Sequence, residues 1–224
     1  MLRWIRRLVA LLLLLALLVV LSAWWLLRGS LPALDGELAP AAVGVTAPVK
    51  IQRDALGVVT IDAASEADAM RALGFVHAQE RYFEMDLMRR TPAREPGGLF
   101  GPGGVEVGQQ DRVHRLRARV HAHLPRALGT KADVLAAYRD GANAGLAGLR
   151  TRPWAYLLLR QPPRAWSLED SVLVGLAMYG DLQDNRNRGE LALSRIIGVV
   201  PPALYALIAH DGSSWGAPLF GGPR

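Results

Sequence analysis

The pattern of hydrophobic and polar positions changes character twice along the chain, and each change predicts a different kind of element. From Leu8 to Leu27 there is no charge, Gly or Pro over 20 residues. At a rise of 1.5 Å per residue such a helix crosses about 30 Å of hydrocarbon. Arg3, Arg6 and Arg7 precede it, which predicts a cytoplasmic N-terminus and an exported body. The run is longer than a usual signal-peptide core of about 7–15 residues, and no clean A-x-A site follows. Trp24 and Trp25 suit an interfacial anchor. We therefore expect an uncleaved signal anchor over 1–28, with a cleaved signal peptide as the rival reading.

Ser30 to Ala47 is rich in Pro, Gly and Ala and reads as a tether within a linker spanning 29–47. The pattern then switches to alternation: Val49 and Ile51 alternate with Lys50 and Gln52, Asp54-Ala-Leu-Gly57 supplies a turn, and Val58-Val-Thr-Ile61 returns. This predicts a β-hairpin. After Ser65 the period lengthens again. Ser65-Glu-Ala-Asp68 forms a capping-box pattern, and Ala69, Leu73, Val76, Phe83 and Leu87 mark one stripe of a long helix. Pro92 and Pro96 are expected to end it, before a glycine-rich loop over Gly97–Gly108. Further helices are predicted over Arg112–Leu124 and over Ala132–Leu149, the latter with Val134, Leu135, Tyr138, Ala142 and Leu146 inward. Another follows over Leu168–Leu182, capped by Ser167 with Glu169 and Asp170 in its first turn. Glu190–Val199 and Pro202–Ala209 complete a mostly helical body with one hairpin at its start.

Composition adds exclusions. The chain has no cysteine, which removes disulfides, thiolate metal sites and a cysteine nucleophile. Its net charge of +6 is modest, and all basic residues except Lys50 and Lys131 are arginines. Basic residues between Arg112 and Arg126 lack interleaved aromatic stackers, so no nucleic-acid partner is expected.

Several chemical motifs fail on context. Gly212-Ser-Ser-Trp-Gly216 fits G-x-S-x-G, but a short apolar helix precedes it, Pro218 follows, and no His or Asp lies beyond Asp211. Gly101-Pro-Gly-Gly104 lacks phosphate-cradle spacing, and Pro102 removes a donor. His114, His121 and His123 suggest a metal only superficially: on a helix His121 and His123 point about 200° apart, so those two cannot share one ion there. His77 reads as a hydrogen-bonded structural residue. Asp181, Asp184 and Glu190 do not form a self-contained calcium loop, because Arg186 and Arg188 interrupt the ligand positions.

Six segments nevertheless occur in a recognisable order. Val49-Lys-Ile-Gln-Arg-Asp-Ala-Leu-Gly-Val58 is similar to an "I-x-R-D-x-x-G-V" opening hairpin. Gly74-Phe-Val-His-Ala-Gln-Glu-Arg81, with Met85 and Arg89-Arg90, is similar to a "G-(Y/F)-(V/A)-H-A-Q-D-R" helix. Leu99-Phe-Gly101 and Asp111-Arg112 follow, then Ala137-Tyr138 with Gly141-Ala-Asn-Ala144, then Trp166 with Glu169-Asp170-Ser171, and finally Asp211-Gly-Ser-Ser-Trp-Gly-Ala-Pro218. Together these resemble the N-terminal, α-subunit part of the penicillin acylase (penicillin amidase) family of N-terminal-nucleophile hydrolases. Two departures stand out. Gly98 occupies the glutamate position of the family's "E-L-F-G", and Gly216 the aspartate position of its "W-D-A-P".

The resemblance implies an α+β class. The region 48–224 is then the mostly helical α-subunit portion of an αββα fold, preceded by one transmembrane helix. It implies an amidohydrolase cleaving linear amide C–N bonds of N-acyl compounds, β-lactam antibiotics among them. Its nucleophile is a serine beyond this chain, exposed by self-cleavage, whose own α-amino group acts as base. The chain alone is then expected to be inactive, with no catalytic residue of its own. Its partners would be a β-subunit segment carrying that serine, the membrane and an N-acyl small molecule. By the same resemblance Met178, Tyr179 and Leu182 are candidates for an apolar acyl pocket. Glu190 is a candidate calcium ligand; no cofactor is required beyond that structural ion. The body would lie in the periplasm, anchored to the inner membrane, or free there if the N-terminal segment is cleaved. The competing class is a non-catalytic, membrane-anchored helical binding or scaffold protein, or a gene remnant.

Overall fold

The structure is a computed structural model that describes residues 2–104, 114–182 and 188–209. It divides into two compact units, Met1–Ala177 and Met178–Arg224. Helix α1 (Leu2–Gly29) is 28 residues long, and its apolar side chains are exposed along its length. It is long and apolar enough to cross a membrane. A helix leaves its last four carbonyls without partners. Here the folded body supplies some: Thr151 Oγ1 donates to the carbonyl of Leu26 at 3.0 Å, and Thr151 N to that of Gly29 at 3.0 Å. Gly29 and Ser30 are buried at this junction.

The segment that reads as a tether from sequence is therefore held at its near end. It is held at the far end too, where Thr46 N and Oγ1 donate to the two carboxylate oxygens of Asp68 at 2.8 and 2.7 Å. Between these points a short turn of helix, α2 (Pro40–Val43), lies in a loop. That loop and the helices Glu66–Ala93 and Ala132–Ala147 enclose a cavity of about 950 Å³, whose walls include Leu31, Val43, Phe75, Val76 and Arg150.

The hairpin forms where the alternation places it. Strand β1 (Lys50–Arg53) pairs antiparallel with β2 (Val59–Asp62), with Ile51 opposite Ile61 and Lys50 opposite Asp62. Asp54 accepts from the backbone amides of Leu56 and Val58, and Gly57 takes φ +80°, a conformation that favours glycine.

Helix α3 (Glu66–Ala93) starts at its cap: Ser65 Oγ accepts from Asp68 N at 3.1 Å. The Asp68 carboxylate turns to the preceding loop, where it accepts from Thr46. Pro92 does not stop the helix. It is buried within the last turn, and Arg94 ends α3 in the left-handed conformation at φ 58°. Arg81 has non-helical angles and kinks the helix near its middle. The buried face also departs from the apolar stripe. Leu73, Phe83 and Leu87 are only partly buried, whereas Asp86, Arg89 and Arg90 lie inside.

After the short helix α4 (Gly97–Phe100), which occupies part of the expected glycine loop, come α5 (Leu116–Leu128) and a 3₁₀ turn (Gly129–Lys131). Helix α6 (Ala132–Ala147) then packs against α3. The crossing is made by small residues, because Ala137, Gly141, Ala142 and Gly145 are the buried positions of α6. A Cβ built on Gly141 would lie 1.9 Å from the Arg71 carbonyl oxygen, and one on Gly74 2.2 Å from that of Tyr138. The expected inner residues Val134, Leu135, Tyr138 and Leu146 flank this seam. Backbones this close need glycine, since any side chain would force the helices apart.

Helix α7 (Trp154–Leu159) and helix α8 (Leu168–Leu182) complete the scaffold of the first unit. One core cluster gathers Ala78, Tyr82, Met85, Leu99, Ala142, Tyr156 and Trp166; a second gathers Val120, Leu124 and Leu173. In the second unit lie the end of α8, helix α9 (Arg188–Ile196) and helix α10 (Pro202–Ile208).

Candidate functional site

The chemistry-bearing residues of the first unit meet where α3, α7 and the start of α8 converge. Asp86, Arg89 and Arg90 follow the i, i+3 and i+4 spacing that places them on one face of α3. Arg89 Nε and Arg90 Nε donate to the same Asp86 oxygen at 2.7 and 2.8 Å, and the Tyr156 hydroxyl donates to the other at 2.7 Å. Arg89 extends across the core to Asp170 and to the carbonyls of Ala165 and Arg164. Its guanidinium also sits 4.9 Å from the Trp166 ring centre. Arg117 bonds Asp170 at 3.0 Å and clasps the Glu95 carboxylate with two nitrogens. Three carboxylates thus face four guanidiniums, since Arg164 also pairs with Glu95 at 3.2 Å.

Burial fixes what these groups can do. Asp86 and Arg89 are wholly buried, and Asp170 is 1% exposed. Burial opposes the charge on Asp86, but hydrogen bonds from Arg90 and Tyr156 and the Arg89 guanidinium hold its carboxyl below the ordinary value. Burial likewise opposes the charge on Asp170, and Arg89 together with the Ser167 amide overcomes it. Burial pushes the Tyr82 phenol up to about 12 and raises Tyr156 as well, so both stay neutral donors. A general base must be able to accept a proton near neutral pH. These carboxylates are locked in the ionised, fully bonded state, so the network is a scaffold.

The other motif residues are spent in the same way. Asn143 makes a two-way bond with the backbone of Trp166, donating at 3.0 Å and accepting at 2.7 Å. The Trp166 indole donates to Ser171 Oγ at 3.0 Å. Arg53 of the hairpin pairs with Glu80 of α3. His77 Nδ1 shares a hydrogen bond with the Tyr138 hydroxyl at 3.0 Å, and burial followed by nearby Arg81 lowers its pKa. His121 pairs with Glu169 rather than with another histidine.

Residues 48–214 match the penicillin amidase family. The chain belongs to that family. It is 42% identical over 151 residues to the penicillin acylase 2 proenzyme of Pseudomonas sp. (strain SE83), covering 66% of this chain and 19% of that protein. It is 31% identical over 146 residues to the acyl-homoserine lactone acylase QuiP of Pseudomonas aeruginosa, covering 65% of this chain and 17% of that protein. The chain thus spans about a fifth of the length of the curated relatives it matches. Its fold resembles that of the thermostable penicillin G acylase from Alcaligenes faecalis. The TM-score there is 0.58 at 22% identity, over 79% of this chain and 98% of that one.

Within this penicillin amidase chain the predicted site residues all belong to the second unit. Met178, Tyr179 and Leu182 are on the last turns of α8 and exposed. None of them lines the cavity beside α3. Glu190 belongs to the first turn of α9. Among the described residues no three His, Asp or Glu side chains gather as a metal site. A calcium ion takes about six to eight oxygens, so an ion bound through Glu190 would need most of its ligands from elsewhere. Asp184 and Gly212–Gly216 lie outside the described residues. Sequence reading found the motif positions but missed the roles of Tyr156 and Glu95. The Asp86–Arg89–Arg90 spacing was a usable signal for half of the network; nothing local signals a tyrosine 70 residues away.

Proposed function

We propose that this chain is the scaffold-forming, α-subunit-like part of an acyl amidohydrolase that cleaves the C–N bond of N-acyl compounds. The nucleophilic serine is supplied by a β-subunit segment outside this chain. The observation that carries the reading is the fate of the family-motif residues: Arg89, Arg90, Asn143, Trp166 and Asp170 are all spent holding helices together. A chain that spends its signatures on architecture, and spans about a fifth of its relatives, supports a division of labour with a catalytic partner segment. Exposed Met178, Tyr179 and Leu182 would wall an acyl chain once that segment covers them. A calcium ion, if bound, would take Glu190 as one ligand and stabilise the assembly without entering the chemistry. Helix α1 anchors the protein in the inner membrane with its body in the periplasm.

The test compares hydrolysis of a chromogenic N-acyl anilide by the purified chain with hydrolysis after co-expression with the serine-bearing segment of a family member. Turnover only in the combined sample is expected. Turnover by the chain alone would overturn the assignment, as would a combined sample in which the two segments neither associate nor hydrolyse the amide.

A further inference from the structure

The body is fastened to the end of α1, and this fixes which of its surfaces sits at the depth of the membrane interface. The apolar run of α1 ends at Leu27, with Trp24 and Trp25 one turn earlier and Arg28 immediately after. Aromatic residues followed by a cation mark the headgroup level. Thr151 bonds the carbonyls of Leu26 and Gly29, so residue 151 stands at that level. Chain geometry keeps the Trp154 backbone within about 11 Å of Thr151.

The helix just beyond Thr151 has the wrong polarity for a water-facing element. In α7, Ala155 and Tyr156 turn inward, whereas Trp154 and Leu158, one turn apart on one face, are 56% and 75% exposed. Exposed Arg150 and Arg160 bracket the helix in sequence, Arg150 also lining the cavity beside α3. A short helix with an outward aromatic and aliphatic pair, rimmed by arginines, matches the physics of an interfacial helix. Its apolar residues enter the acyl boundary and its cations meet lipid phosphates.

We propose that the α7 face formed by Trp154 and Leu158, with Arg150 and Arg160, is a second membrane contact that lies on the bilayer surface and engages anionic phospholipid headgroups. It rests on the reading of α1 as a membrane anchor. Two contacts, one spanning and one lying on the surface, hold the body in a fixed orientation against the bilayer. The fastening at Thr151 sets the depth of this edge of the body, and the second contact adds a hold against tilting about it.

The chain contains no cysteine, so Leu158→Cys gives a unique attachment point for a fluorophore. Thr130→Cys, exposed at the opposite end of α6, is the water-facing reference. The full chain is reconstituted in vesicles of phosphatidylcholine and phosphatidylglycerol. We expect the label at position 158 to lose its emission to a nitroxide-bearing lipid and to resist aqueous iodide, with the reverse at position 130. Adding Arg150→Gln and Arg160→Gln should reduce the lipid-facing fraction about fivefold per arginine. Alkaline carbonate extraction of the same vesicles separates failure of the anchor from failure of the surface contact. A chain released by carbonate overturns the anchor and the inference with it. A chain that is retained, but whose label at position 158 is quenched freely by iodide, overturns the inference alone. A label reached by neither quencher assigns the face to a polypeptide partner and also overturns it.

Discussion

Arg89 and Asp170 form an ion pair inside the protein, with Arg89 wholly buried and Asp170 1% exposed, joining the C-terminal part of α3 to the first turn of α8 across 81 positions of sequence. Each end is further tied: Asp170 accepts from the Ser167 amide at 2.8 Å and from Arg117, while Arg89 donates to Asp86 from Nε, to the Ala165 carbonyl from the same Nη1 that bonds Asp170, and to the Arg164 carbonyl from Nη2. Desolvating such charges costs several kcal/mol each unless every bond is made. The network satisfies that demand with side chains from four separate elements, so it specifies one arrangement of those elements.

Breaking the pair from one side leaves an unneutralised charge. Asp170→Asn is expected to destabilise the fold by about 3–5 kcal/mol, a large part of a typical domain's total. The check is the urea midpoint of the variant against the parent. Glu169→Gln, one residue away on a partly exposed position paired with His121, should change it by less than about 1 kcal/mol. Similar midpoints for both variants would remove the network from its proposed role.

Glycines in the helices separate into two kinds. Gly141→Ala places a methyl against the Arg71 carbonyl, where a Cβ would lie 1.9 Å from the oxygen. We expect a loss of about 1–3 kcal/mol as α3 and α6 are pushed apart. Gly175 lies inside α8 with nothing within 4 Å of its would-be Cβ. Gly175→Ala should instead stabilise by about 0.5–1 kcal/mol through helix propensity. Thermal unfolding of the two variants reads opposite signs if the close approach of α3 and α6 is real.

Acid should weaken the fold in two stages. His77 has a lowered pKa in the fold, so the unfolded chain takes up its proton first; that part of the stability is present above about pH 6.5 and is lost as the pH falls below it. Asp86 and Asp170 also have lowered values. Their contribution is complete above about pH 3.9 and disappears as the pH drops through their folded values. His77→Gln should abolish the first stage and leave the second, as followed by unfolding free energy between neutral and acid pH.

Much of the secondary structure was legible because its causes are local. Ser65 caps α3, Asp54 closes the hairpin, and before α8 the Asp170 side chain accepts from the Ser167 amide, the reverse half of a cap. The continuation of α3 through Pro92 was not legible. Its final turn is buried and closed by Arg94, so tertiary burial outweighs a local break signal. The stripe on α3 misled for a related reason. Apolar periodicity identifies a buried face only where the core is apolar, and here Asp86, Arg89 and Arg90 take that face because partners await them.

The sequence by itself determined the apolar N-terminal run, the hairpin, the order of the longer helices and the family, since each rests on spacing or on motif letters read along the chain. Tertiary structure alone decided what the motif letters are for. Gly74 and Gly141 allow two backbones to touch, Asp86 takes its third hydrogen bond from Tyr156, and Thr151 closes the end of α1 from 125 positions away. None of these has a local signal. Each is a close contact between segments far apart in sequence, and its free energy exists only once both segments are packed.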